Sequence, residues 1–162
     1  MHAFARTLAF VLLACTSHIS LAANYELSLT RKSGNVYKVS GKDIIVHTRY
    51  CYVYAYSENS ILKSSGYGGE VVFLDSKEKC DVKAVYGAVN QKPGKYKVNV
   101  SHEADDWYEV LGASLFIRTS GCISIALGED AKLELAGPGY GQLLFKDGQS
   151  CTVEGLYSRL TL

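Results

Sequence analysis

The residues able to do chemistry are few, and their types point to bonding rather than turnover. Beyond position 22, cysteines stand at 51, 80, 122 and 151 and histidines at 47 and 102. His47 and His102 are not spaced as metal ligands, and no Gly-x-Ser-x-Gly elbow presents a nucleophile. Glu58 and Glu129 form a carboxylate pair of the kind glycoside hydrolysis uses. They occupy equivalent positions in a repeated sequence, however, which a shared turn explains more simply. The acidic run from His102 to Glu109 contains Asp105 and Asp106, but its spacing matches no calcium loop. No metal, cofactor or catalytic residue is therefore expected, because acid, base and pocket do not converge in the pattern.

The elements that hold these residues come in duplicate. Sliding the chain by 71 residues places Cys51 on Cys122 and Cys80 on Cys151. The same offset superimposes Tyr37 on Tyr108, Val39 on Val110, Gly41 on Gly112, Thr48 on Thr119, Ala55 on Ala126, Glu58 on Glu129 and Tyr86 on Tyr157. Self-similarity at this density marks two tandem modules, here 24–88 and 96–162. Asn90-Gln91-Lys92-Pro93-Gly94 lies in the 89–95 linker between them. Four cysteines allow three pairings. Only Cys51–Cys80 with Cys122–Cys151 treats the modules alike, so these cysteines are assigned as structural bridges.

Period-two alternation predicts strands and an all-β fold. Candidate strands run over 25–31, 35–40, 44–56, 70–75 and 81–86, with partners at 96–102, 106–111, 115–127, 142–146 and 152–157. Turn residues at short spacing suggest a small antiparallel barrel or sandwich in each module. The run from Ile44 to Tyr56 is long for one strand, and a bend is expected near Tyr50 and Gly121. Its even positions carry Tyr50, Tyr52, Tyr54 and Tyr56, aligned with Gly121, Ile123, Ile125 and Leu127. Aliphatic counterparts predict that this face is core.

Arg6, the apolar run from Leu8 to Cys15 and Ser20-Leu21-Ala22 read as a signal peptide over residues 1–22. Export to the periplasm or outside the cell is expected, with cleavage after Ala22 favoured over lipidation at Cys15. No apolar run reaches the length of a bilayer-spanning helix. Without Arg6 the chain carries 16 basic and 16 acidic residues, and a neutral protein is a poor nucleic-acid ligand. The modules differ in sign. Residues 24–91 hold nine basic and seven acidic residues, a charge of +2, and residues 96–162 hold five and nine, a charge of −4. The contrast fits complementarity between modules or between neighbouring molecules.

An exported, non-enzymatic protein that binds a protein or glycan partner is the function expected. Arg31, Lys32, Tyr67, Asp105, Asp106 and Trp107 are the candidate contact residues. Module 1 is the better candidate binder, with eight of the twelve tyrosines. A self-associating envelope protein is the alternative, and a small hydrolase the third reading. Each bridge closes a loop of about 30 residues, worth on the order of 3.6 kcal/mol in the chain-entropy picture. Reduction should accordingly lower the urea midpoint sharply, by an amount that fits losses of this size in each module.

Overall fold

The computed structural model describes residues 23–65, 68–104 and 106–162, and over these the chain is all β. Residues 1–22, the expected signal peptide with Cys15, and the contact candidates Tyr67 and Asp105 lie outside the described residues. In the first copy the strands are β1 (Ala23–Ser33), β2 (Val36–Val39), β3 (Ile44–Arg49), β4 (Glu58–Ser64), β5 (Gly69–Phe73) and β6 (Lys79–Val89). The second copy supplies β7 (Gly94–Ala104), β8 (Trp107–Val110), β9 (Leu115–Ser120), β10 (Leu127–Gly137), β11 (Tyr140–Phe145) and β12 (Ser150–Arg159).

All strand pairings are antiparallel, and they close two rings. The first runs β6-β3-β2-β1-β4-β5 and returns to β6; the second runs β12-β9-β8-β7-β10-β11 and returns to β12. Closure leaves neither barrel a free sheet edge, and six strands enclose only enough room for side chains. Leu29, Tyr37, Val46, Leu62, Val71 and Phe73 fill the first barrel. Val100, Tyr108, Ile117, Leu133, Leu143 and Phe145 fill the second. Each barrel carries its own bridge, Cys51–Cys80 and Cys122–Cys151.

Two strands belong to both halves of the molecule. β6 pairs with β5 over 79–82 to close its own barrel and then with β12 over 86–89. β12 does the same in reverse, pairing with β11 over 150–153 and with β6 over 156–159. In this ladder Gly87 lies opposite Ser158, its own counterpart at the 71-residue offset. The two copies are therefore related by a local two-fold axis through that pair, the isologous arrangement of a symmetric dimer, here within one chain.

Side chains at the junction obey the same rule. Val36 and Trp107, Ile45 and Phe116, and Tyr86 and Tyr157 are three pairs of equivalents, and together with Ala84 they form one buried cluster between the barrels. Phe116 sits at its centre, with ring centroids 4.8 Å from Tyr86, 5.4 Å from Trp107 and 5.2 Å from His47. The chain ends of the two copies also cross over. Val89 packs on the second core, while Leu160 and Leu162 pack on the first.

Opposite charges meet at this junction. Lys83 Nζ reaches Glu103 at 2.9 Å and Glu109 at 3.1 Å, joining the first copy to the second. His47 is buried beside them, with Nε2 3.4 Å from Glu103 and Nδ1 without a hydrogen-bond partner. Burial, then the nearby Lys83, depress its pKa from 6.5 to about 4 against the opposing pull of Glu109; Arg49 lowers it further. The imidazole is thus neutral at neutral pH, and its approach to Glu103 is a polar contact rather than an ion pair. Above pH 6.5 the histidine has no effect on stability. Below it the unfolded chain takes up a proton that the folded chain refuses, so stability falls until about pH 4. The loss is on the order of 3 kcal/mol. Replacing it, His47→Gln, should flatten this part of the stability–pH curve, measured as the difference between wild type and variant in urea titrations.

Candidate functional site

Between β3 and β4, and again between β9 and β10, the chain runs extended but unpaired in any ladder. Both segments open with a residue in the left-handed region, Tyr50 at φ 50° and Gly121 at φ 64°. This is the bend expected from the sequence, and it has a consequence for side-chain direction. Both faces of β3 are buried, with even-numbered Val46 in the first barrel's core and odd-numbered Ile45 in the junction between the barrels. After the bend the parity changes, so Cys51 and Ala55 point in and Tyr50, Tyr52, Tyr54 and Tyr56 point out.

The tyrosines are therefore not core, contrary to the sequence expectation. They are 73–88% exposed, and their counterparts Ile123, Ile125 and Leu127 are 77–85% exposed. The readable clue was the cysteine parity. A bridge to β6 or β12 requires Cys51 and Cys122 to face inward, with small Ala55 and Ala126 on the same side, which sends the large residues outward.

Each segment is pinned through its inward positions. In the first, Asn35 Oδ1 accepts from Cys51 N at 2.9 Å, and Tyr37 donates from its hydroxyl to the Val53 carbonyl at 2.9 Å. Arg31 N donates to the Ala55 carbonyl at 2.9 Å, and Ser57 N donates to Thr30 Oγ1 at 2.9 Å. The second copy repeats the scheme. Asp106 Oδ1 accepts from Cys122 N at 3.4 Å, Tyr108 donates to the Ser124 carbonyl at 2.6 Å, and His102 N donates to the Ala126 carbonyl at 2.7 Å. Burial pushes the Tyr108 hydroxyl up to about 12 and raises that of Tyr37, so both remain donors. Anchors on alternate residues hold the intervening side chains out as a stripe.

The surroundings of the two stripes differ in charge. Tyr54 and Tyr56 line a groove of about 410 Å³ with Arg31, Lys32, Ser33 and Gly34. Arg31 Nε and Ser33 Oγ are buried there without hydrogen-bond partners. Tyr50 and Tyr52 border a hollow of about 280 Å³ with Lys79 and Glu78, and Arg49 stands exposed just before Tyr50. Beyond Gly128 the aliphatic stripe is followed by exposed Glu129 and by Asp130, which pairs with Lys146 at 2.8 Å. Four rings at this exposure present on the order of 600 Å², already the size of the largest apolar patch on an ordinary monomer. Leaving the three aliphatic side chains in water forgoes roughly 4–7 kcal/mol of burial.

Arg31 and Lys32 belong to the groove beside the tyrosines. Asp106 holds the Cys122 amide. Trp107 is 3% exposed in the junction between the barrels, so it is closed to an outside partner; packing there explains the residue. Glu58 is buried, accepting from the amides of Asp75 and Ser76 and from the Ser76 hydroxyl, which fixes the turn after β5. Glu129 is exposed on the other barrel, and the two carboxylates do not converge. Two larger hollows on the second barrel, of about 650 and 570 Å³, are lined by ion-paired residues including Asp130 with Lys146 and Glu134 with Lys95. Among the described residues, no group of three His, Cys, Asp or Glu side chains is placed to hold a metal ion, and no helix is long and apolar enough to cross a membrane. Comparison with family models, curated proteins and solved structures gives no match.

Removing one anchor should loosen one segment alone. Tyr37→Phe and Tyr108→Phe each delete a hydrogen bond worth about 1 kcal/mol. In hydrogen–deuterium exchange, the first variant should lose protection over 51–57 and the second over 122–127, with the rest of each barrel unchanged.

Proposed function

We propose that this chain is an exported, non-enzymatic binding protein whose contact surface is the stripe Tyr50, Tyr52, Tyr54 and Tyr56 with the adjoining cations Arg31 and Lys32. The observation that carries the reading is the outward stripe itself, four exposed aromatic rings held on a pinned and disulfide-anchored segment. Tyrosine suits recognition because a rigid ring with a hydroxyl gives contact area and a hydrogen bond at little cost in conformational entropy. Pinning the backbone lowers the ordering cost further. Arg31 and Lys32 add a cationic margin fitted to an acidic or hydroxyl-rich protein or glycan surface. The two bridges place the protein in an oxidising compartment, extracellular or periplasmic.

Affinity capture tests this reading. Oxidised protein would be used as bait against a secreted and envelope extract and against an array of glycans, beside Tyr52→Ser/Tyr54→Ser and Arg31→Ser/Lys32→Ser variants. The tyrosine pair should reduce retention of the bound species at least tenfold and the cation pair less, with unfolding midpoints unchanged. Equal retention by all three proteins would remove the stripe as the contact surface.

A further inference from the structure

The aliphatic stripe needs an occupant, and its position and charge suggest one. Cys80 and Cys151 each lie seven residues before the dyad pair Gly87–Ser158 on antiparallel strands. The stripes fastened by these bridges consequently sit at opposite ends of the β6–β12 ribbon, on the order of 40 Å apart along it. Each stripe has the same extended backbone and outward parity. One is aromatic with Arg31, Lys32 and Arg49 around it, and with Lys79, which pairs with Glu70 at 3.8 Å, and Glu78 in the adjoining hollow. The other is aliphatic and followed by exposed Glu129 and by Asp130, the latter paired with Lys146 at 2.8 Å, while the positions equivalent to Arg49 and Lys79 are Ser120 and Ser150.

From this we infer that the partner of the tyrosine stripe is a second copy of this chain, docking head to tail through its stripe Ile123, Ile125 and Leu127. The inference rests on the binding role of the tyrosine stripe and names its partner. Aliphatic side chains packing on ring faces bury both exposed surfaces at once, and Arg31, Lys32 and Arg49 of one copy meet the acidic margin led by Glu129 of the next. The acidic margin disfavours an anionic lipid surface as the occupant. Because the two docking surfaces differ and lie at opposite ends, the contact is heterologous and leaves a free end of each kind, so it propagates as open chains rather than closing as a dimer. Small stripes make a contact at the weak, transient end of protein interfaces.

Sedimentation of the oxidised protein tests this, using Ile125→Asp and Tyr54→Asp variants of exposed residues whose unfolding midpoints verify folding. Wild type should show average mass rising with concentration beyond the dimer, with association about tenfold weaker between ~0.05 M and ~0.5 M salt. Each variant alone should be monomeric. Mixed in equal amounts they should form a one-to-one dimer and nothing larger, since only one good end of each kind remains. Self-association of Ile125→Asp alone, or a wild type monomeric at low salt and high concentration, would overturn the head-to-tail contact. A monomeric wild type that still captures a foreign ligand through its tyrosines would overturn this inference and leave the binding role standing. Association unchanged in Tyr54→Asp would count against both.

Discussion

Everything in this molecule depends on two strands that each serve two barrels. β6 and β12 close their own rings with their first halves and pair with each other through their second halves, about an axis at Gly87 and Ser158. Because the ladder continues across the axis, the barrels are joined by backbone hydrogen bonds as well as by side chains. The aromatic cluster around Phe116 includes Tyr86 and Tyr157 of this ladder and packs the junction beside it. Lys83 with Glu103 and Glu109 completes the junction at a partly exposed margin. Coulomb attraction at such a site is modest after screening; the buried rings carry most of the cohesion.

The exposed stripes follow from a second constraint, the left-handed residue that ends β3 and β9. One residue at positive φ changes which parity faces the core, and the anchors at 51, 53, 55 and 57 then hold that choice. Glycine at 121 adopts this conformation without steric cost, whereas Tyr50 adopts it against its preference. The tyrosine ladder thus starts on a residue under local strain, held by the bridge beside it. Strain of this kind clusters at contact sites in many proteins.

Much of the fold was legible because the repeat amplified weak signals. Cysteine pairing, module number and the all-β class needed only the 71-residue offset. β4 and β10 were hidden, since β4 turns Glu58, Ser60 and Ser64 inward where apolar residues are expected. Glu58 is tolerated there because three donors satisfy its carboxylate, a compensation that periodicity cannot register. The stripes were misread for a related reason. Alternation gives the period of a strand but not its phase, and here the apolar phase is the outer one. The charge contrast between copies was visible in composition, but its partial use at the junction depended on the two-fold axis. Trp107 stands out in the sequence as the single tryptophan, but its burial against Phe116 and Tyr157 depends on which face of β8 meets the other barrel.

The junction has one more consequence, for errors in assembly. At equivalent positions the first copy offers Val36 and Ile45, and the second offers Trp107 and Phe116. Two first copies meeting about the axis would bring four aliphatic side chains to a space that holds two aliphatic side chains and two large rings, leaving a void. Two second copies would crowd four rings into the same space. Core substitutions of either sign are destabilising, so each half rejects its own kind and accepts the other. The two copies thus present a bump and a hole at equivalent positions of one pseudo-symmetric junction, and the two shapes fit only each other.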